Sequence, residues 1–478
     1  WMIMSPSFSS FSRRPLQIPT RSGVSRRTFL QVAGLSGIAL SSGALLAACS
    51  PSGSRGGGDG ALDFWQFYAP APTGTVQGTS TSTQADWFVK NVEAWNANND
   101  KQVSLTYVPT SNYLAGDKLA TQFASGRGPD IFLISSALFL EYYNAGVMLD
   151  LTPYLSEEAL ADLDAGGVMG PRMVDGKVYG IPLESEPVLM YYGHAAFEKA
   201  GLSEADVPRT WDQLLGVADK LTGSGSYGTL WETTPGALQN FEWQPFMWQG
   251  GSDAVRDGKA VFDSKGTIDA LQFWQDSIKR GIAPRTVKNG NSGDILGNLG
   301  SGYTAMQQMV CSVISILNEN APDFEYGTFK LPVPQGGEYW TTSGGWAAVV
   351  NKNGKDPEAA AKFVTWLFAS TDQEGIERMA EWVTVAKNGD IATRASVNDY
   401  ARSQGYFDDP NLKYVLEEVV GDGTRVRGEP RYPAPIFKAI SDAIQGSMLN
   451  GTPAADAAGS AQQTIDTYLK GYQGGEIV

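Results

Sequence analysis

Ile131-Phe132-Leu133-Ile134 is a run without a polar position, and it constrains the fold more than any other feature of the chain. A strand apolar on both sides must be covered on both sides, which is the situation of a parallel strand inside an α/β layer. The preceding residues supply its neighbours. Leu62-Asp63-Phe64-Trp65-Gln66-Phe67 alternates and reads as a first strand. Residues 69–83 are rich in Pro, Gly, Ser and Thr and read as a loop. Trp87, Phe88, Val92 and Trp95 share one helical face. Residues 103–108 form a second strand, and 114–124 a helix ended by Gly126-Arg127-Gly128-Pro129. Strand, helix, strand, helix, strand is the rhythm of a parallel α/β layer.

Similar signals recur downstream. Residues 179–183 and 188–192 read as strands placed to carry the chain between two bodies. Thr210 with Gln213 forms a capping box ahead of a helix to Leu221. Residues 264–280 read as another helix. Asp356-Pro357-Glu358 caps a helix whose buried stripe is Phe363, Val364, Leu367 and Phe368. Residues 435–449 and 454–468 end the chain as helices.

The first 48 residues read as an export signal, not as part of the fold. Arg26 and Arg27 precede an uncharged apolar run over 32–48, which ends in Leu46-Ala47-Ala48-Cys49. The run is shorter than the ~20 residues of a spanning helix. The start codon is expected at Met2 or Met4. Residues 49–60, rich in Gly and Ser, read as a tether. The 430 residues from Cys49 onward exceed what one core serves, so two domains are expected.

Charge and composition exclude several functions. Of 36 basic and 51 acidic side chains, five arginines and no acid precede Cys49, so the remainder is net −20. Such a surface repels nucleic acid. Cys311 is the one cysteine after Cys49, so no disulfide framework or zinc cluster is available. His194 is the lone histidine, in a strand-to-helix turn that suits a cap or surface role better than catalysis. No cofactor is expected.

Six segments in order then resemble the family 1 extracellular solute-binding proteins, the group that includes maltose-binding protein. They are Gly128-Pro129-Asp130-Ile131-Phe132; residues 146–154 (GVMLDLTPY); residues 176–182 (GKVYGIP); residues 208–214 (PRTWDQL); Thr304-Ala305-Met306; and the helix around 362–367. The export signal resembles that of a twin-arginine lipoprotein, with Cys49 as the lipidated first residue. Three features depart from the family: the long 69–83 loop, Val310-Cys311-Ser312 where an aromatic is common, and Ile391-Ala392-Thr393-Arg394 without a proline. They bear on ligand identity, not on fold.

The resemblance implies a two-lobe, type II periplasmic-binding-protein-like α/β fold with discontinuous lobes on hinge strands. The expected lobes are 61–168 plus 320–370, and 185–315 plus 375–478. It also implies a monomer, lipid-anchored on the outer face of the cell membrane, that captures a carbohydrate by hinge closure and delivers it to an ABC transporter permease.

A sugar presents C–H faces to aromatic rings and hydroxyls to polar groups. Candidates follow from type and family position. Trp65 ends the first strand, where α/β sheets bind ligands. Ser135 and Ser136 follow the third strand. Glu184 and Glu186 alternate across the hinge, Glu186 being the one assigned to hydroxyls. Trp243 and Trp248 are candidate stackers, Gly345-Trp346 a glycine-backed aromatic, and Arg431-Tyr432 a loop pair. Each has a plain alternative as core, turn cap or solvated side chain. Paired glutamates also suit a secreted glycoside hydrolase, and the same fold serves a polyol, phosphate ester or peptide.

Overall fold

The computed structural model describes residues 60–70, 75–76, 79–80, 82–113, 118–163, 167–223, 225–421 and 424–478. The 1–48 signal, Cys49 and most of the tether lie outside the described residues. In chain order the strands of the two main sheets are β1 (Leu62–Gln66), β2 (Val103–Tyr107), β3 (Ile131–Ile134), β4 (Ile181–Pro182), β5 (Glu186–Gly193), β6 (Met306–Val310), β7 (Tyr326–Phe329), β8 (Thr341–Gly344), β9 (Ala347–Val350) and β10 (Val426–Gly428). The helices used below are α1 (Ser82–Asn98), α2 (Ser136–Asn144), α3 (Trp211–Leu221), α4 (Ala237–Gln249), α5 (Lys265–Lys279), α6 (Pro357–Ala369), α7 (Ala434–Met448) and α8 (Ala454–Gly471).

The first sheet has the order β2-β1-β3-β9-β4. β1 pairs in parallel with β2 and β3, as the strand–helix rhythm predicts. β9 then runs antiparallel to both β3 and β4. Ile131, Phe132, Leu133 and Ile134 are all shielded, so the run is covered on both faces. Trp87, Phe88, Val92 and Trp95 of α1 pack on one side, with Phe363, Val364, Leu367 and Phe368 of α6 in the same core. Asp356 caps α6 by accepting the Ala359 amide at 3.0 Å.

The second sheet has the order β6-β5-β8-β10, with β7 also on β5. Alternation along β5 divides its side chains. Val188, Met190 and Tyr192 face a core built with α3, α4, α5, α7 and α8, whereas Leu189 and Tyr191 face a smaller one with Ile314, Leu317 and Val415. The Thr210–Gln213 capping box closes as expected and starts α3.

Pairing and packing draw the line between the lobes elsewhere than the sequence-based boundaries. β7 and β8 pair with β5, so 326–344 belong to the second lobe and not, as expected, to the first. Met169, Val174, Val178 and Ile181, and later Met379, Trp382 and Val383, sit in the first lobe's core. Partners remote in sequence decide this, and those partners leave no local signal.

Among the described residues, three segments cross between the lobes: β4 to β5, β8 to β9, and the stretch 391–401. They are tied together. Leu183 N–H donates to Trp346 O at 2.9 Å, Ser185 N–H to Ile391 O at 2.8 Å, and the Ser185 and Ser343 hydroxyls meet at 2.7 Å. Gly345 sits at φ +118° with Glu184 O only 2.3 Å from where a Cβ would stand. No side chain fits that turn.

Candidate functional site

At the hinge, Glu184 and Glu186 part company. Glu184 is sealed: its Oε1 accepts the Trp346 amide at 2.9 Å and its Oε2 accepts the Trp382 indole N–H at 2.8 Å. Burial raises its pKa, and Lys387 opposes that shift. Glu186, at the start of β5, keeps some exposure and lies beside Gly344 and Phe241. Its Oε1 stands 3.4 Å from Lys387 Nζ, which is also 3.3 Å from Asp390 Oδ2. Burial works to lower the Lys387 pKa, but Asp390 and Glu186 hold it well above the usual lysine range. Burial raises Asp390 well above the usual carboxylate range. Three carboxyls around one ammonium form a charge-imbalanced floor between the lobes.

Aromatic rings border this floor from the first lobe. Trp346 is half-buried, with its ring 4.6 Å from Phe67. Tyr68 stacks edge-on against Trp382 at 5.4 Å, lies under Lys387 Nζ at 5.9 Å, and its buried hydroxyl has no hydrogen-bond partner. Trp65 stands near the end of β1. Its indole N–H donates to Asp63 at 2.7 Å, and Lys118 Nζ lies 5.2 Å over its ring.

Beside the hinge, a groove of about 660 Å³ opens between the lobes. One wall is α2, through Ala137, Leu138 and Glu141. The other is Pro235-Gly236-Ala237 at the start of α4, with Tyr432 ahead of α7 and Phe437 and Asp442 along it. Ser135 is the N-cap residue of α2 yet makes no side-chain capping bond, and the buried Ser136 Oγ has no partner. Tyr432, Phe437 and Tyr468 supply the groove's aromatic rings, and no indole lines it.

The α4 wall rests on a buried acid pair that the sequence reading missed. Glu232 accepts the Thr234 amide at 2.6 Å and the Ser292 amide at 2.7 Å. The Ser292 hydroxyl lies 2.9 Å from Glu232 and 2.6 Å from Glu242. Burial pushes Glu242 up to about 8, against the hydrogen bond from Ser292. Nothing in the spacing of 232, 242 and 292 announces that they meet.

Three of the predicted ligand-binding residues take other places. Trp243 is fully buried, 5.8 Å from Phe262, because its face of α4 turns into the second core. Trp248, at the far end of α4, is buried under the Arg427 guanidinium at 4.7 Å and borders a separate cavity of about 690 Å³. Arg431 is buried. Its guanidinium donates to the carbonyls of Met173 and of Glu476, the latter at 2.8 Å, and so ties the lobes instead of facing the groove. Tyr432 lines the groove, with its hydroxyl held by Asp253 at 2.9 Å. His194 opens a short helix and packs 5.3 Å from Tyr192.

Two lobes with separate cores, three hinge crossings and a groove between them are the architecture of a protein that captures a guest between moving halves. A model of the bacterial extracellular solute-binding protein family matches residues 79–374, more than half of the chain, and the chain belongs to that family. It is similar to a putative binding protein of Brucella abortus, 26% identical over 263 residues. That match takes in 52% of this chain and spans 61% of the relative's length. It is also similar to the arabinooligosaccharide-binding protein of Bacillus subtilis, 24% identical over 70% of this chain and 75% of that one. The fold matches the crystal structure of a cyclic alpha-maltosyl-1,6-maltose binding protein from Arthrobacter globiformis, with a TM-score of 0.71, 24% identity, and coverage of 86% of this chain and 99% of that one.

Proposed function

We propose that this chain captures a carbohydrate in the inter-lobe groove by hinge closure and hands it to the permease of an ABC importer. The observation that carries the reading is the groove itself. Its walls come from both lobes, so a guest touches both only when they are closed and stabilises that state by the difference. Its volume lies within the range of small-molecule sites, and the names of the Bacillus and Arthrobacter proteins point to saccharides. Ring stacking then falls to Tyr432, Phe437 and Tyr468, with Glu141 and Asp442 at the rim and Glu186 and Trp346 at the hinge.

The anchoring belongs to the same proposal. A twin-arginine signal through Arg26 and Arg27 exports the chain, and diacylglycerol on Cys49 holds it, as a monomer, to the outer face of the membrane. No helix among the described residues is long and apolar enough to cross a membrane.

A thermal-shift screen against mono- and oligosaccharides tests the reading. A ligand at 100 times its Kd adds about 2.7 kcal/mol. A panel of sugars, none of which raises the melting temperature, refutes the carbohydrate assignment, and a shift with a polyol, phosphate ester or peptide replaces it. New reducing ends released from an oligosaccharide would make the protein a hydrolase. Binding is favoured because Glu184, half of the candidate acid pair, is committed to the Trp346 and Trp382 N–H groups.

A further inference from the structure

A fourth contact between the lobes adjoins the β8–β9 crossing, where Arg172 donates to Gly345 O. β10 pairs with β8 in the second sheet, yet its end lies on the first lobe's 167–173 loop: Gly428 N–H donates to Gly167 O at 3.1 Å. The next residue, Glu429, is buried. Its backbone N–H donates to Ser343 O at 3.0 Å, and its carboxylate turns to the first lobe, where the Ala137 amide in the first turn of α2 donates to it.

That carboxylate is poorly compensated. Arg172 is the cation facing it, but the Arg172 donors serve other acceptors: Val168 O at 2.6 Å and Gly345 O at 2.7 Å, while its buried Nε has no partner. The other groups around it are accounted for. α2 offers an amide, β8 offers the Ser343 carbonyl to the Glu429 N–H, and Glu184 draws on the same Arg172 from the hinge. Arg431, two residues on, is turned to the carbonyls of Pro171, Met173 and Glu476. Burying an ion with so little pairing costs more than its attractions return.

We propose that Glu429 opposes lobe closure: its carboxylate is hydrated when the lobes part and must be stripped of water when they meet, so it sets the open–closed balance that a ligand has to overcome. The contact rests on the hinge-closure reading of the groove. Burial, opposed by Arg172, places the Glu429 pKa at about 7 with the two lobes in contact here, above the 4.5 of a free glutamate. A pKa higher in the closed form means that protonation favours closing. That support is full below about 4.5 and is lost as pH rises through about 7.

Glu429→Gln removes the charge and keeps the shape. At pH 8 the ligand-free variant should be more compact by small-angle scattering than the wild type. It should also bind its sugar up to about tenfold more tightly, because apparent affinity scales with the closed fraction. At pH 5 the wild type should approach the variant in both readouts. Equal radii of gyration at pH 8, or a variant that expands and binds more weakly, overturns the proposal. So does a lowered melting temperature with no change in compactness, which marks a structural role only. Scattering needs no ligand, so failure of the carbohydrate assignment leaves this test standing.

Discussion

Glu242→Gln isolates the buried acid pair beneath the groove wall. The Ser292 hydroxyl lies within hydrogen-bond distance of both Glu232 and Glu242 but has one proton to give. One carboxyl must therefore carry its own, and burial, which pushes Glu242 up to about 8, names it. Unfolded, the same group titrates near 4.5. The native state thus holds a proton that the unfolded chain has released. Stability from this group is complete below about 4.5 and is lost as pH rises towards 8, at about 1.4 kcal/mol per pH unit inside that window. Glutamine keeps a donor for Ser292 and removes the titration. The variant should gain on the wild type by about 3–4 kcal/mol between pH 5 and 8. For a chain this long that is roughly 3–5 °C in melting temperature. Intrinsic-fluorescence melts of both proteins from pH 5 to 8.5 give the difference curve. A difference that stays flat across the range refutes the assignment of the proton to Glu242, whatever its sign.

Other substitutions test the hinge. Gly345→Ala should cost about 3 kcal/mol or more in denaturant unfolding, since φ +118° and the Glu184 carbonyl leave no place for a methyl group. Glu184→Ala should destabilise by about 1–3 kcal/mol for each of the two N–H groups it orphans, and Glu184→Gln by less, because its one carbonyl still serves one of them. Equal losses in the two variants would remove the acceptor role. Glu186→Gln should weaken sugar binding by about tenfold in calorimetric titration, the worth of one charged hydrogen bond; unchanged affinity excludes Glu186 from the site.

The local signals were legible where local physics suffices. The apolar run at 131–134, the 3.6-residue stripe of α1, the Thr210 capping box and the Asp356 cap each depend on a few neighbouring residues, and each formed as read. The site was less legible. Glu186 and Tyr432 border the floor and the groove, but Trp243 turned inward and Arg431 bonds to backbone of the other lobe. Nothing in the one-dimensional pattern separates an indole that faces a ligand from one that faces Phe262.

The sequence by itself determined the α/β class, the main helices and the family, because periodicity, caps and motif order are properties of short segments. Tertiary structure alone decided that β7 and β8 join the second sheet. It decided which glutamate of the hinge pair is sealed, and that Glu232, Ser292 and Glu242 meet under one wall of the groove while Glu429 caps the other. Those outcomes depend on partners up to hundreds of residues apart, whose proximity and desolvation exist only once the lobes have packed.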